Sequence, residues 1–114
     1  MNIDSLNLDE KSKLIIKFIK NMYENLAKEG IPINQIVVPL EDIAKEVFAK
    51  SNEETNLQTL ELIKDISSKR CKRISEDGCE GIFYFWEVSI KKYNSGEVVC
   101  IFLLSRSFEK EVLS

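Results

Sequence analysis

The sequence has 114 residues, of which 44% are hydrophobic and 31% are charged, and its formal net charge is −3. This size and composition predict one soluble globular domain over residues 1–114 and exclude a long disordered segment, since Gly and Pro are scarce. No apolar run approaches the roughly 20 residues that a membrane-spanning helix needs, and the N-terminus lacks the order of a signal peptide, so we expect a cytoplasmic protein.

The residue types exclude most catalytic chemistry. Histidine is absent, which removes Ser-His and Cys-His catalytic pairs and metal sites built on imidazole. The three cysteines, Cys71, Cys79 and Cys100, are odd in number and show no CxxC spacing, so we expect free, reduced thiols. No glycine-rich phosphate loop is present. We therefore expect neither an enzyme nor a bound metal or cofactor.

The N-terminal half predicts helices. Asn7 and Glu10 form a capping box that starts a helix over 8–28, in which apolar residues recur at helical spacing before Gly30 ends it. A β-branched run over 35–38, ended by Pro39, predicts a short edge strand.

Two further helices follow in close succession. The first is expected over 40–49, and a capping box from Ser51 to Glu54 starts the second over 52–68. We expect the second helix to bury a stripe of apolar residues, namely Leu57, Leu60, Ile63 and Ile66. The tight connection between the two helices is typical of a helix-turn-helix.

The pattern changes to a period of two near residue 70. It predicts a strand over 71–75, a turn at 76–78, a long strand over 82–93 and a third strand over 98–104 that pairs with it as a hairpin. A short terminal helix is expected over 108–113. In the long strand, Tyr84, Trp86, Val88 and Ile90 share one face, which we expect to be the core face.

This order of elements predicts an α+β winged helix: three helices with a helix-turn-helix, a β-hairpin wing and a short edge strand. In such domains the second helix of the pair can lie in a DNA major groove, and the hairpin tip can contact the backbone or the minor groove. These roles would fall to the helix over 52–68 and to the tip over 91–96.

Several segments also resemble a known family. Residues 6–15, 38–44 and 57–74, together with 85–90, 96–98 and 102–105, are similar to the first winged-helix domain of the replication initiator (Rep) proteins of theta-replicating plasmids. The resemblance implies double-stranded DNA and a second copy of the chain as partners. In that family a second winged-helix domain makes most specific origin contacts, so we do not carry over a complete initiation activity. A second initiator domain or other replication proteins are further partners that the resemblance suggests.

Three groups of residues are candidates for DNA contact. On the helix over 52–68, Asn56, Gln58, Thr59 and Lys64 could read bases, although four acidic residues on the same helix oppose that. After it come Lys69, Arg70, Lys72 and Arg73, which are either phosphate anchors or a solvated run at a helix C-terminus. At the hairpin tip stand Lys91, Lys92 and Asn94, which either contact DNA or protect a strand edge.

The aromatic residues predict a dimer interface. Phe83 and Phe85 alternate with the core-facing residues of the long strand, so we expect them, with Phe102, to form an exposed patch that a second copy buries. The alternative is that a helix of the same chain covers them. A second function also stays open: a winged helix for protein–protein assembly that does not bind DNA. Its contact surface would be residues 1–63, which carry seven Lys and eleven Asp or Glu.

Overall fold

The computed structural model describes residues 7–31, 35–74, 77–106 and Phe108, with residues 72–74 and 83 described by their backbone only. These ranges form an α+β fold with three helices and two antiparallel sheets. In chain order the elements are α1 (Glu10–Lys28), β1 (Ile36–Pro39), α2 (Leu40–Phe48), α3 (Glu53–Ser68), β2 (Cys71–Ile74), β3 (Glu80–Phe83), β4 (Trp86–Lys92) and β5 (Val98–Leu104).

Both longer helices begin at side-chain caps, but not at the predicted ones. The Asp9 carboxylate accepts the Ser12 N–H at 2.7 Å, so α1 is capped by Asp9 and not by Asn7. At α3 the capping box joins Asn52 to Thr55, one residue after the predicted Ser51–Glu54 pair. Asn and Asp cap a helix as well as Ser does, so side-chain type does not decide between neighbouring candidates. The N-cap is the last of them with an extended backbone.

Only residues 49–52 separate α2 from α3. Ala49 ends α2 with a φ of 62°, in the left-handed region, and its N–H donates to the Lys45 carbonyl at 2.9 Å. A non-glycine residue rarely adopts this conformation, and it turns the chain sharply enough for α3 to start at once. The predicted tight connection between these two helices is confirmed.

The larger sheet has the strand order β1-β5-β4. Val38, Cys100 and Ile90 lie opposite one another across it. The helices pack on one face, where Trp86 and Phe102 meet edge to face with their ring centroids 5.0 Å apart. The core between the helices and this sheet consists mainly of fully buried residues: Ile15, Ile16, Ile19, Ile43, Ile63, Ile66, Phe85, Trp86, Phe102 and Phe108.

The predicted long strand over 82–93 is wrong. β3 ends at Phe83 and β4 begins at Trp86, and the two strands belong to different sheets. The chain between them is held to the end of β5, because the Ser105 N–H donates to the Phe85 carbonyl at 3.1 Å and the Ser105 hydroxyl donates to the Tyr84 carbonyl. Strict alternation therefore stops there, and the adjacent residues Phe85 and Trp86 are both buried.

This break also corrects the expected aromatic patch. Phe85 and Phe102 are fully buried in the core, where Phe102 faces the helices opposite Val88, so neither forms an exposed surface. The side chain of Phe83 lies outside the described residues, as do the last residue of the predicted strand over 71–75, residue 76 of the predicted turn and most of the predicted helix over 108–113.

Candidate DNA-binding surface

The orientation of α3 decides which of its side chains can reach a partner. Its buried face consists of Thr55, Thr59, Ile63 and Ile66. Thr59 is therefore not a base-reading residue: it is fully buried, and its hydroxyl donates to the Thr55 carbonyl at 2.7 Å. A threonine can satisfy its hydroxyl inside its own helix in this way and still pack in a core. Leu57, predicted to be buried, is 58% exposed.

One flank of α3 faces the β4–β5 hairpin. Asn56 on this flank lines a cleft of about 370 Å³ whose other walls are the start of α2 and the hairpin residues Gly96, Glu97 and Val98. Ser67 lies three helical turns beyond Asn56 on nearly the same line, and Lys64 lies between this flank and the outer face. Neither Ser67 nor Lys64 adds negative charge beside Asn56. Glu41 and Glu97, however, place carboxylates in the cleft itself.

The opposite flank of α3 faces α1 and α2. Gln58, Glu61, Leu62 and Asp65 line a groove there of about 380 Å³ with Lys11 and Phe48. Gln58 and Asn56 differ by two residues, about 200° around the helix, so they project to opposite flanks. The structure does not bring these two predicted base-reading residues to one surface.

Two of the basic residues that follow α3, Lys69 and Arg70, are engaged within the chain. Arg70 Nη1 donates to the carbonyls of Ser67 at 3.1 Å and Lys69 at 3.0 Å, and the Arg70 guanidinium lies 5.1 Å from the centre of the Tyr84 ring. Lys69 Nζ lies 3.7 Å from an Asp65 carboxylate oxygen. Arg70 therefore acts as a C-terminal cap of α3, while the side chains of Lys72 and Arg73 lie outside the described residues.

The two lysines near the hairpin tip point to opposite faces of β4, because side chains alternate along a strand. Lys91 Nζ lies 5.3 Å from the centre of the Tyr93 ring, on the face away from the helices. Lys92 shares the helix-side face with Trp86 and lies opposite Val98, which lines the cleft beside α3. Among the described residues Lys92 is exposed and has no ion pair or ring contact.

The turn beyond these lysines is tightly closed. The Tyr93 N–H donates to the Glu97 carbonyl at 2.8 Å, and the Gly96 N–H donates to the Tyr93 carbonyl at 2.9 Å. Gly96 has a φ of 91°, a conformation that favours glycine, so the turn presents the exposed Asn94 at a defined tip. Asn94 and Lys92 are thus held on one rigid hairpin.

The two basic regions lie at opposite ends of β4. Arg70 packs on Tyr84, just before β4 begins, whereas Lys92 is its last residue. Six residues at about 3.3 Å each separate these ends by about 20 Å. Arg70 and Lys92 therefore do not belong to one compact cluster.

The thiols are poor nucleophiles where they are buried. Burial raises the pKa of Cys100 to about 11. Burial also raises the pKa of Cys71, although the nearby Lys69 ammonium opposes this shift. Both groups therefore carry a proton at neutral pH. Within the described ranges, no group of three or more Cys, Asp or Glu side chains could hold a metal ion, and no helix is long and apolar enough to cross a membrane.

Comparison of the chain with protein-family models, with curated proteins and with solved structures found no match. Its function is therefore argued from its own residues, from their arrangement and from the resemblance carried by the motifs described above.

Proposed function

We propose that the protein is a winged-helix module that binds the backbone of double-stranded DNA, as the first domain of plasmid replication initiators is expected to do. The topology supports this. The order α1-β1-α2-α3 followed by the β4–β5 hairpin, with β1 paired to β5, is the arrangement in which a helix-turn-helix is completed by a wing. The β2–β3 hairpin is an insertion between the third helix and the wing.

The observation that carries the proposal is the position of Lys92. It extends from the rigid base of the wing, on the same side of the sheet as α3, and no described residue neutralises it. An ammonium held in this way can approach a phosphate without first breaking an internal contact, and phosphate contacts dominate DNA affinity. Asn56 and Lys64 on α3, with Asn94 at the tip, complete the proposed surface.

The same geometry favours backbone contact over base reading. Four carboxylates and only one lysine lie on α3: Glu53, Glu54, Glu61, Asp65 and Lys64. A helix with that charge is repelled as it enters a groove between two phosphate chains. Glu41 and Glu97 likewise keep phosphate out of the cleft, so DNA would contact Lys92 on the hairpin and Lys64 on α3, outside the cleft.

A salt-titrated binding assay tests this function. A fluorescently labelled duplex of about 20 base pairs should bind, with log affinity falling against log salt at a slope of about −2 to −3, as two or three phosphate contacts require. Duplexes of unrelated sequence should bind within about threefold of one another, because phosphate contacts carry no base information. No binding at low salt, or an affinity independent of salt, would contradict the proposal.

The resemblance also implies a homodimer, and we propose the sheet face away from the helices as its interface. Val37 and Leu103 are 50% and 43% exposed there, and Ile101 lies directly opposite Val37. A two-fold copy is the commonest way to cover such a surface. Sedimentation velocity at about 100 μM should show a dimer for the parent chain and a monomer for Leu103→Lys.

A matched control comes from the other sheet. Ile82 on β3 is 71% exposed and lies outside the proposed interface, so Ile82→Lys should leave the dimer intact. A monomeric parent chain, or equal loss of dimer in both variants, would contradict this interface.

A further inference from the structure

The groove between α1, α2 and α3 is not used by the proposed DNA surface. Its floor is apolar, formed by the half-buried side chains of Phe48 and Leu62, and its rim carries the carboxylates of Glu61 and Asp65. Its volume of about 380 Å³ is near the lower end of the range for ligand pockets, about 300–1,000 Å³. The groove therefore has room for one or two side chains and not for a folded element.

The groove already accommodates a cation. Lys11 Nζ lies 5.6 Å from the centre of the Phe48 ring, within the distance at which an ammonium is attracted to an aromatic face. Asp65 is paired with Lys69, but Glu61 has no ion pair among the described residues. Lys11 and Lys69 thus balance the two carboxylates of the groove, and Glu61 is the one that is available to hold a further positive group.

We propose that this groove binds a basic segment of a partner protein, with a lysine or arginine side chain placed over Phe48 and Leu62 beside Glu61. Charge complementarity identifies the occupant: the unpaired Glu61 carboxylate repels phosphate and attracts a cationic side chain, whose aliphatic stem packs on the apolar floor of Phe48 and Leu62. The groove lies on the flank of α3 opposite Asn56, so the partner and DNA bind at the same time.

Binding of a defined probe tests the proposal. The probe is a dye-labelled amphipathic peptide of about 14 leucine and lysine residues, and its control has glutamate in place of every lysine. The lysine peptide should bind, the glutamate peptide should not, and ¹H–¹⁵N spectra should shift at Phe48, Gln58 and Leu62. Shifts confined to the hairpin or to the outer sheet face would overturn the proposal.

Charge variants separate this groove from the general acidity of the chain. Glu61→Lys should weaken peptide binding about tenfold, and Lys11→Met, which removes the resident ammonium but keeps an unbranched apolar chain, should tighten it about threefold. The control is Glu46→Lys, an equal charge change at an exposed residue of α2 that does not line the groove.

Two results would overturn the assignment: equal weakening by Glu61→Lys and Glu46→Lys, or peptide binding that Lys11→Met abolishes. DNA affinity measured on the same variants distinguishes the two proposals. Glu61→Lys should not weaken duplex binding, so loss of peptide binding with DNA binding retained supports the groove. Failure of DNA binding alone concerns only the proposed function.

Discussion

The two basic regions of the chain differ in what their described side chains contact. After α3, Arg70 and Lys69 are bound to carbonyl oxygens, an aromatic ring and a carboxylate of their own chain. On the β4–β5 hairpin, Lys92 is exposed with no described partner. A run of positive charge therefore does not identify a DNA contact by itself, because such side chains also stabilise helix ends. Their contacts decide which charge is available to a phosphate.

The largest expected effect comes from reversing the available charges. Lys64→Glu combined with Lys92→Glu should weaken duplex binding about 30-fold at low salt and reduce the salt slope by about two units, since each lysine accounts for about one phosphate contact. Fluorescence anisotropy over a salt series measures both quantities.

The control for that variant changes the same charge elsewhere. Lys20→Glu combined with Lys28→Glu on α1 should alter affinity less than about threefold, because these residues stand on α1, outside the proposed DNA surface. An equal loss in the two double variants would show that binding is unspecific attraction to the whole chain.

A pH titration perturbs β5, the strand that contains Cys100. The Cys100 thiol has a pKa of about 11 in the folded chain, raised by burial from its ordinary value of 9.0. Between these values the unfolded chain has lost a proton that the folded chain keeps. The free energy of unfolding should therefore fall from about pH 9 to about pH 11, by at most about 2 kcal/mol from this group.

Urea unfolding at several pH values measures this fall. Cys100→Ala is less stable at every pH. Its free energy of unfolding should not show the part of the decrease that ionisation of the Cys100 thiol causes. The same slope in both proteins would mean that Cys100 does not cause it.

Arg70 should contribute to the stability of the fold and not to DNA binding. Arg70→Ala removes two hydrogen bonds to the end of α3 and the contact with Tyr84, so the free energy of unfolding should drop by about 1 kcal/mol. Arg70→Lys keeps the charge but loses the planar, forked donor, and it should restore little of that stability. Chemical denaturation gives the stabilities.

The affinity of the Arg70 variants for duplex DNA should differ from that of variants at Lys92. Both Arg70 variants should bind DNA within about twofold of the parent once the folded fraction is considered. Weakened binding by Arg70→Ala that Arg70→Lys restores would instead place Arg70 on the DNA surface.

The smallest change in stability is expected for a substitution in the turn before α3. It serves as a reference for the variants above, because it alters neither basic region. Ala49 has a φ of 62°, so Ala49→Gly should stabilise the fold by about 0.5–1 kcal/mol by relieving an unfavourable backbone conformation. Ala27→Gly, at an exposed position inside α1, should destabilise it by about as much. Thermal unfolding measures both, and destabilisation by Ala49→Gly would contradict the strained turn.

The sequence predicts the helices well and the strands less well. The three helix ranges agree with the structure within two residues at each end, because apolar spacing, caps and glycine act locally. The strand break at Tyr84 and Phe85 depends on hydrogen bonds from Ser105, 20 or more residues away, and no local pattern encodes it. For that reason, strict alternation predicts an exposed aromatic patch on the sheet.

The site residues show the same limit. The helical period of α3 correctly predicts that Ile63 and Ile66 are buried, but it places the exposed Leu57 on the same face and misses the buried Thr59, whose side chain is polar. Only a pairing rule for buried threonine, whose hydroxyl bonds to the carbonyl four residues earlier, could have favoured the observed face. Likewise, the sequence shows Arg70 and Lys92 as equal charges, and only the contacts of each distinguish them.

The most direct test of the central claim is a ¹H–¹⁵N titration of the parent chain with a short duplex of about 16 base pairs. We predict chemical-shift changes at the proposed contact residues of α3 and the β4–β5 hairpin, Asn56, Lys64, Lys92 and Asn94, with Gln58 and Glu61 on the opposite flank of α3 unchanged. Changes centred on Arg70 and the β2–β3 hairpin, with the wing unaffected, would contradict it.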